Sequence, residues 1–495
     1  MGHATVLSRA GIGLNAPLVS VEAHLSNGLP AFSIVGLPEN SVRESRERVR
    51  SALICSHFKW PDRRITVSLA PAELPKSGGR FDLPIALAIL VASQQLTASA
   101  IANREFFGEL GLNGALRHCR GLLAAVRAAT MDHHAVILPN DQAEKMAVVP
   151  RSRVTGASDL LSVCGLLKSK NLKVVTLKSS QSPALRHTET PQISGQEVAK
   201  RALEIAAAGG HHLLMIGPPG AGKTLLAASL PPLLEARRPS EELELSLIRD
   251  LLGLDPSPDR PFRAPHHNTT AAGLIGGGTN ATPGEVSLAH GGVLFLDELA
   301  EFRTQVLDLL RQPLESGRIS LSRAKGTYDY PARFQLVAAM NPCPCGYAGI
   351  ENENCRCKPE VVNRYQGRIS GPLLDRIDLH VHLERQPAAK LLHGVCRAED
   401  ARELLSALKS ARKRQYKRQN CLNAELSNAP LLKVCAMEAP VRRWFEEACD
   451  RLRLSGRGIH KTLRVARSLA DLAQESVLSE VVLLEALGYR SRLLP

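Results

Sequence analysis

Apolar residues along the chain recur in two rhythms. The runs Pro30–Val35, Arg64–Ala70 and Ala135–Leu138 have strand character, and Glu39–Ile54, Leu83–Ser93 and Gly121–Ala129 between them repeat at helical spacing. The alternation predicts a mixed α/β domain over residues 1–167, with helices packed on a sheet. The rhythm stops at 168–191, where Ser, Thr and Lys dominate and Pro183 and Pro191 punctuate the chain. We read this stretch as a linker carrying one short strand, Lys173–Leu177. Gln196–Gly209 then returns to helical spacing through Val198, Leu203, Ile205 and Ala206, and Gly209-Gly210 stops it. Strands and helices alternate again over 192–385, predicting a second α/β domain. The remainder, 386–495, is helical in pattern: Ala388–Arg418, Glu438–Leu452, Ile459–Glu475 and Ser479–Arg490.

One junction in the second domain carries chemistry. The apolar run Leu213–Ile216 leads into Gly217, Pro218, Pro219, Gly220, Ala221, Gly222, Lys223 and Thr224, and a helix starts near Leu225. Strand, glycine loop and helix form the context in which backbone N–H groups cradle phosphates, aided by the positive end of the helix dipole. Lys223 supplies a point charge to the β- and γ-phosphates of ATP, and Thr224 offers its hydroxyl to Mg²⁺. Seventy-four residues after Lys223, the apolar strand Val293–Leu296 ends in Asp297-Glu298. Ligands gather at this end of strands in open α/β sheets, so Asp297 is expected in the Mg²⁺ shell and Glu298 against the attacking water. A third strand, Phe334–Met340, ends at Asn341, whose amide is placed to orient that water. An acidic pair at a strand end can instead be a helix cap, although the glycine loop upstream favours the catalytic reading, and an Asn taken alone is more often a turn residue.

With Met340-Asn341-Pro-Cys-Pro-Cys-Gly346 and Ser370-Gly-Pro-Leu-Leu-Asp-Arg-Ile-Asp-Leu379, these motifs resemble the magnesium-chelatase clade of AAA+ ATPases. Within it the chain resembles the ComM/YifB family, through Val21–Pro38 and Pro75–Pro84 as well. The resemblance spans essentially the whole sequence. It implies a Lon-protease-like α/β domain in front, an AAA+ P-loop core, and a C-terminal helical lid. It also implies that Arg376 is an arginine finger reaching the neighbouring subunit's ATP, that Arg464 is the lid's sensor arginine, and that the working form is a homo-hexamer. Phe262–His267 and Gly273–Gly278 look like the clade's helix-2 insertion. Glu315–Arg333 looks like its pre-sensor-1 hairpin, which would bring Arg318, Arg323 and Lys325 to DNA. The adjacent His266 and His267 suggest a metal pair only superficially, because neighbouring side chains diverge.

The front domain is similar to the proteolytic domain of Lon but lacks its dyad. Arg80 stands where the nucleophilic Ser belongs, and Leu123 where the Lys belongs. Ser–Lys acyl chemistry then has neither nucleophile nor base, so no peptidase activity is expected. Ser77 beside Lys76 is the one conceivable substitute. Separately, Cys343-Pro-Cys345 and Cys355-Arg-Cys357 place four of the eleven cysteines within fifteen residues. That spacing suits a structural Zn²⁺ knuckle, with free buried thiols as the alternative.

Composition narrows the partners. The net charge is +14, and the segment from Arg385 onward holds 21 Lys and Arg against 12 Asp and Glu. Such an excess favours a polyanion over an acidic partner. Lys409–Arg418 alone carries six basic residues, suited to phosphate contacts or to a solvated helix face. Aromatics are only 4% of the chain, which favours backbone tracking over base stacking. The longest apolar segment, Leu83–Ala92, is too short to span a membrane, and with no export signal a cytoplasmic location is expected. The family resemblance implies a DNA motor, driving branch migration of single-stranded and branched DNA during natural transformation, with recombination proteins as possible partners. A magnesium-chelatase motor subunit and a protein-remodelling ATPase are the competing readings.

Overall fold

The structure, a computed structural model, describes residues 2–36, 39, 42, 44–169, 195–278, 281–323, 326–349, 354–386 and 398–490. The expected linker from residue 170 onward, its strand Lys173–Leu177, and Lys325 lie outside these, while Lys168 and Ser169, expected in the linker, end the helix Leu160–Ser169. The chain divides into two compact units, Met1–Ala184 with Pro239–Pro258 and Ser322–Tyr330, and the rest.

The first unit is built on a seven-stranded sheet. Its strands are β1 (Gly2–Arg9), β2 (Leu18–Ser26), β3 (Ala31–Val35), β4 (Arg64–Ala70), β5 (Arg104–Phe106), β6 (Ala135–Pro139) and β7 (Val154–Ala157), in spatial order β3-β4-β2-β1-β5-β6-β7. β2 pairs antiparallel with β1 and β4, while β5, β6 and β7 run parallel. The antiparallel pair escaped the reading of the sequence, although β2 carries the signal. Val19, Val21, Ala23 and Leu25 are buried and the residues between them are not, the period-two pattern of a half-buried strand. Behind the sheet, every residue of the helix Asp82–Ala92 is buried, which explains its all-round apolar character. No helix among the described residues is long and apolar enough to cross a membrane.

The second unit holds a five-stranded sheet whose pairings are all parallel. Its strands are β8 (Leu213–Ile216), β9 (Phe262–Arg263), β10 (Val293–Leu296), β13 (Gln335–Met340) and β14 (Leu379–His382), ordered β9-β10-β13-β8-β14. β11 (Arg318–Arg323) and β12 (Gly326–Pro331) form a separate two-stranded hairpin, of which Ser322–Tyr330 groups with the first unit. β8, β10 and β13 are buried at every position, as parallel strands covered on both faces must be. The C-terminal helices Ala398–Gln419, Asn428–Val434, Ala439–Arg451, Gly456–Ala473 and Glu480–Gly488 share one apolar core with this sheet and with the helix Glu197–Gly209.

The basic run on the first of those helices is largely committed inside the unit. Arg412 Nε donates to Ala207 O at 2.9 Å, Arg414 to Asp471 O at 2.9 Å, and Arg418 pairs with the Asp471 carboxylate at 2.8 Å. Its arginines fasten the helix to its neighbours, and Lys409, Lys413 and Lys417 remain as its lysines. A second fastening is Asp378, which accepts from Lys461 Nζ at 2.7 Å and from the His212 backbone N–H at 3.1 Å. Burial works against its charge, but Lys461 and His211 hold its carboxyl well below the usual range.

Candidate ATP site and cysteine cluster

The register of the second sheet brings the motifs together. Ile216 is level with Met340, and Leu296 with Ala338, so β8, β13 and β10 deliver the glycine loop, Asn341 and Asp297 to one sheet end. The loop leaves β8 at Gly217, whose N–H donates to Met340 O at 3.2 Å. Gly220 and Gly222 sit at φ 76° and 84°, the left-handed region, and nothing lies within 4 Å of where a Cβ would be. On the side where side chains would lie, the loop is therefore open just before the Lys223–Ala228 helix.

Lys223 Nζ occupies that loop itself. It donates to Gly217 O at 2.7 Å, Pro218 O at 3.0 Å and Asn341 Oδ1 at 2.9 Å. Burial lowers its pKa, with Asp297 and Glu298 opposing the shift. Thr224 Oγ1 donates to Asp297 Oδ2 at 3.1 Å, and Asp297 Oδ1 accepts from the Glu298 N–H at 2.9 Å. A hydroxyl and a carboxylate this close are the hard oxygen donors that Mg²⁺ prefers, so Thr224 and Asp297 fit that ion. Glu298 has φ 51° and ψ 47°, a conformation unusual for a residue with a Cβ and one that collects at functional sites.

Two neighbours of the site were not foreseen. His267 Nδ1 lies 3.0 Å from Glu298 Oε2, with the His267 ring tilted on His266 and edge-on to Phe302. The His-His motif thus serves the acidic pair through one ring. Gln196, at φ 57°, donates from Nε2 to Ala221 O at 3.1 Å and to Glu384 O at 2.7 Å, tying the glycine loop to the residues after β14. Nothing in sequence spacing marks Gln196, since its partners are 25 and 188 residues away.

The two family-implied arginines are engaged elsewhere. Arg376 Nη1 donates to Pro372 O at 2.5 Å and Nη2 to the Glu315 carboxylate. Arg464 donates to Leu426 O at 2.8 Å and Asn428 Oδ1 at 3.0 Å, and burial lowers its pKa. Arg318 and Arg323 are exposed on the hairpin strand.

Cys343, Cys345, Cys355 and Cys357 converge, their sulfurs all within 4.8 Å of one another. The Sγ of Cys343 is 3.2 Å from that of Cys345 and 3.8 Å from that of Cys355, and Cys345 and Cys355 are 3.6 Å apart. Tetrahedral thiolates about 2.3 Å from a zinc would be about 3.8 Å apart. Backbone N–H groups of Ala348 and Cys357 point at the sulfurs of Cys343 and Cys355, at 3.3 and 3.5 Å. Burial works against the Cys345 thiolate, but hydrogen bonds from Cys343, Cys357 and nearby backbone bring its pKa down to about 6. The donor set fits Zn²⁺. Gly346 in this knuckle has φ 90°, and a Cβ there would meet Pro219 Cδ at 2.6 Å, so the knuckle abuts the glycine loop.

In the first unit, the expected dyad positions are closed. Arg80 Nη2 donates to Arg120 O, and Nη1 is buried without a partner. Leu123 is buried, and its N–H donates to Asp250 Oδ2 at 2.8 Å. Lys76 is buried with Nζ on Pro71 O, while Ser77 is exposed, so these two do not form a nucleophile–base pair.

A parallel sheet with this loop, acidic pair and amide at the C-terminal end of its inner strands defines a P-loop ATPase of the AAA+ class. The family models agree: "Magnesium chelatase, subunit ChlI" matches residues 189–391, its C-terminal counterpart 398–490, and "Subunit ChlI of Mg-chelatase" 21–142. More particularly, the chain belongs to the ComM/YifB family. It is 44% identical to YifB of Escherichia coli, across 99% of this chain and 97% of that one. It is also 44% identical to the competence protein ComM of Haemophilus influenzae, across 99% and 98%. Lon protease 2 of Bacillus subtilis is 27% identical over 35% of this chain and 36% of its own.

Proposed function

We propose that this protein is an ATP-driven DNA motor that promotes branch migration during recombination in natural transformation, working as a homo-hexamer. The carrying observation is the convergence of Lys223, Thr224, Asp297, Glu298 and Asn341 at one sheet end in a chain similar along its whole length to a competence protein. Gly217–Leu225 would bind the nucleotide; Mg²⁺, held at Thr224 and Asp297, would neutralise charge between the β- and γ-phosphates. Lys223 would leave Gly217 O and Pro218 O for the phosphates, freeing Asn341 to face the water that Glu298 polarises. Arg376 would act on the ATP of an adjacent subunit, which makes assembly a condition of hydrolysis. Arg464 would report nucleotide state from the lid after leaving Leu426 and Asn428. The cysteine cluster would hold a structural zinc that buttresses Pro219. Arg318, Arg323 and Lys325 would contact the DNA backbone without reading sequence. The first unit would have no peptidase activity.

A magnesium-chelatase motor is the second reading, favoured by the names of the three matching family models. One of them covers 21–142, so the front unit by itself does not separate the readings. The test measures ATP hydrolysis with single-stranded DNA or porphyrin, and branch migration of Holliday-type junctions by wild type and Lys223→Ala. Stimulation by DNA, with migration lost in Lys223→Ala, supports the motor. Equal migration by both proteins, or stimulation by porphyrin alone, refutes it.

A further inference from the structure

Arg376 is only 13% exposed as a side chain, although an arginine that serves a neighbouring subunit must present its forked N–H edge outward. Here that edge is turned inward. Nη1 is on Pro372 O, Nη2 is on the Glu315 carboxylate, and Nε is buried without a partner. Glu315 is 54% exposed, and the same carboxylate oxygen lies 3.8 Å from Arg457 Nη2, at the start of the lid helix Gly456–Ala473. One carboxylate thus gathers arginines from two elements.

Its own position is tied to the hairpin. Glu315 sits in the last turn of the helix Arg311–Ser316, and Gly317, at φ 64°, turns the chain directly into β11. Ser316 Oγ lies 2.9 Å from both Gln312 O and Arg318 O, and Ala332 N–H donates to Gly317 O at 2.9 Å. The joint is pinned on both sides, so displacement of the hairpin carries Glu315 with it. A carboxylate and a γ-phosphate compete for the same guanidinium fork.

We propose that Glu315 is a positioning residue that restrains Arg376 against its own subunit and releases it when the β11–β12 hairpin is displaced by DNA, linking DNA engagement to hydrolysis next door. The inference rests on the reading of Arg376 as the trans-acting arginine.

The test compares kcat and KM for ATP, with and without single-stranded DNA, in wild type, Glu315→Gln, Glu315→Asp, Arg376→Ala and the double variant Glu315→Gln/Arg376→Ala. Glu315→Gln should raise the DNA-free kcat roughly two- to fivefold, the range one partly exposed ion pair is worth. KM should stay put, stimulation by DNA should shrink, and Glu315→Asp should restore the restraint. The double variant should be as inactive as Arg376→Ala. General damage to the fold lowers kcat and cannot produce the rise. If Arg376→Ala hydrolyses ATP normally, the trans-acting reading is wrong and the restraint falls with it. If Arg376→Ala is inactive and Glu315→Gln has an unchanged or lower DNA-free kcat, only the restraint is overturned.

Discussion

Two helices of this protein begin in the same way and end up with opposite uses. Lys223–Ala228 follows Gly222 at φ 84°, and Leu122–Met131 follows Gly121 at φ 69°; neither has a side-chain cap from its own first residue. Both starts therefore leave N–H groups to be met from elsewhere, at the positive end of the helix dipole. At Gly222 nothing lies within 4 Å of where a Cβ would be, and the arriving anion would be a phosphate. At Gly121 the anion is already there. Asp250 accepts from Leu123 N–H at 2.8 Å through its carboxylate and from Gly121 N–H at 3.3 Å through its carbonyl. Asp250 comes from the helix Pro239–Leu252, which lies in sequence between the glycine loop and Asp297 yet belongs to the first unit. A glycine-led helix start is thus a general anion seat. Whether it becomes a binding site or a joint depends on whether the chain supplies its own carboxylate.

The comparison breaks first at Lys223. Lys223→Ala should lower ATP hydrolysis by about a hundredfold or more, since a charge aimed at the transferring phosphoryl group is lost. Steady-state phosphate release measures it, and near-normal turnover would mean the open seat is no more catalytic than the filled one. The cysteine knuckle comes next, because Gly346 abuts Pro219 of the open loop. Purified protein should carry about one zinc per subunit, and Cys343→Ser should lose it and raise KM for ATP several-fold. A metal-free wild type would remove zinc from the account.

At the filled seat the expected effect is on stability. Asp250→Ala removes a helix-start acceptor, a change worth about 1–2 kcal/mol. It also takes away a charge that faces Arg80; burial lowers the pKa of that guanidinium, with Cys119 and Asp250 opposing. Hydrogen exchange should show the Leu123 amide losing protection while kcat at saturating ATP is kept. Unchanged protection at Leu123 would show that the carboxylate is not what holds that helix start.

The open seat was legible in the sequence because all its parts are local. Strand, glycines, Lys223 and Thr224 are contiguous, and Asp297 and Asn341 each end an apolar run. The filled seat was not legible, since Gly121 and Asp250 are far apart in the chain and no spacing rule joins them. His267 lay within view, but the sequence offered only a metal pair with His266, which diverging side chains rule out, and gave no sign that its partner is Glu298. The basic run Lys409–Arg418 shows the opposite error of composition: its charge is visible, but only packing shows that Arg412, Arg414 and Arg418 are committed to Ala207 and Asp471. Cysteine spacing did announce the cluster, because four ligands on a short loop have few other places to go.

The subtlest difference between the two seats is in how they respond to protons. Burial has lowered the Lys223 pKa below the ordinary lysine value of 10.5, with Asp297 and Glu298 only partly restoring it. Bound phosphates would favour the charged form and raise that pKa again, so ATP binding takes up a proton once the pH exceeds the value of the free protein. By linkage, ATP affinity should be level at neutral pH and weaken as pH rises through the lowered pKa, by about tenfold per unit at most. The decline should begin below the pH at which an unperturbed lysine would lose its charge. Titration of a fluorescent ATP analogue between neutral and alkaline pH measures it, with Lys223→Ala as the reference that should lack this component. If wild type and Lys223→Ala weaken in parallel, the ammonium in the open seat does not meet the phosphates.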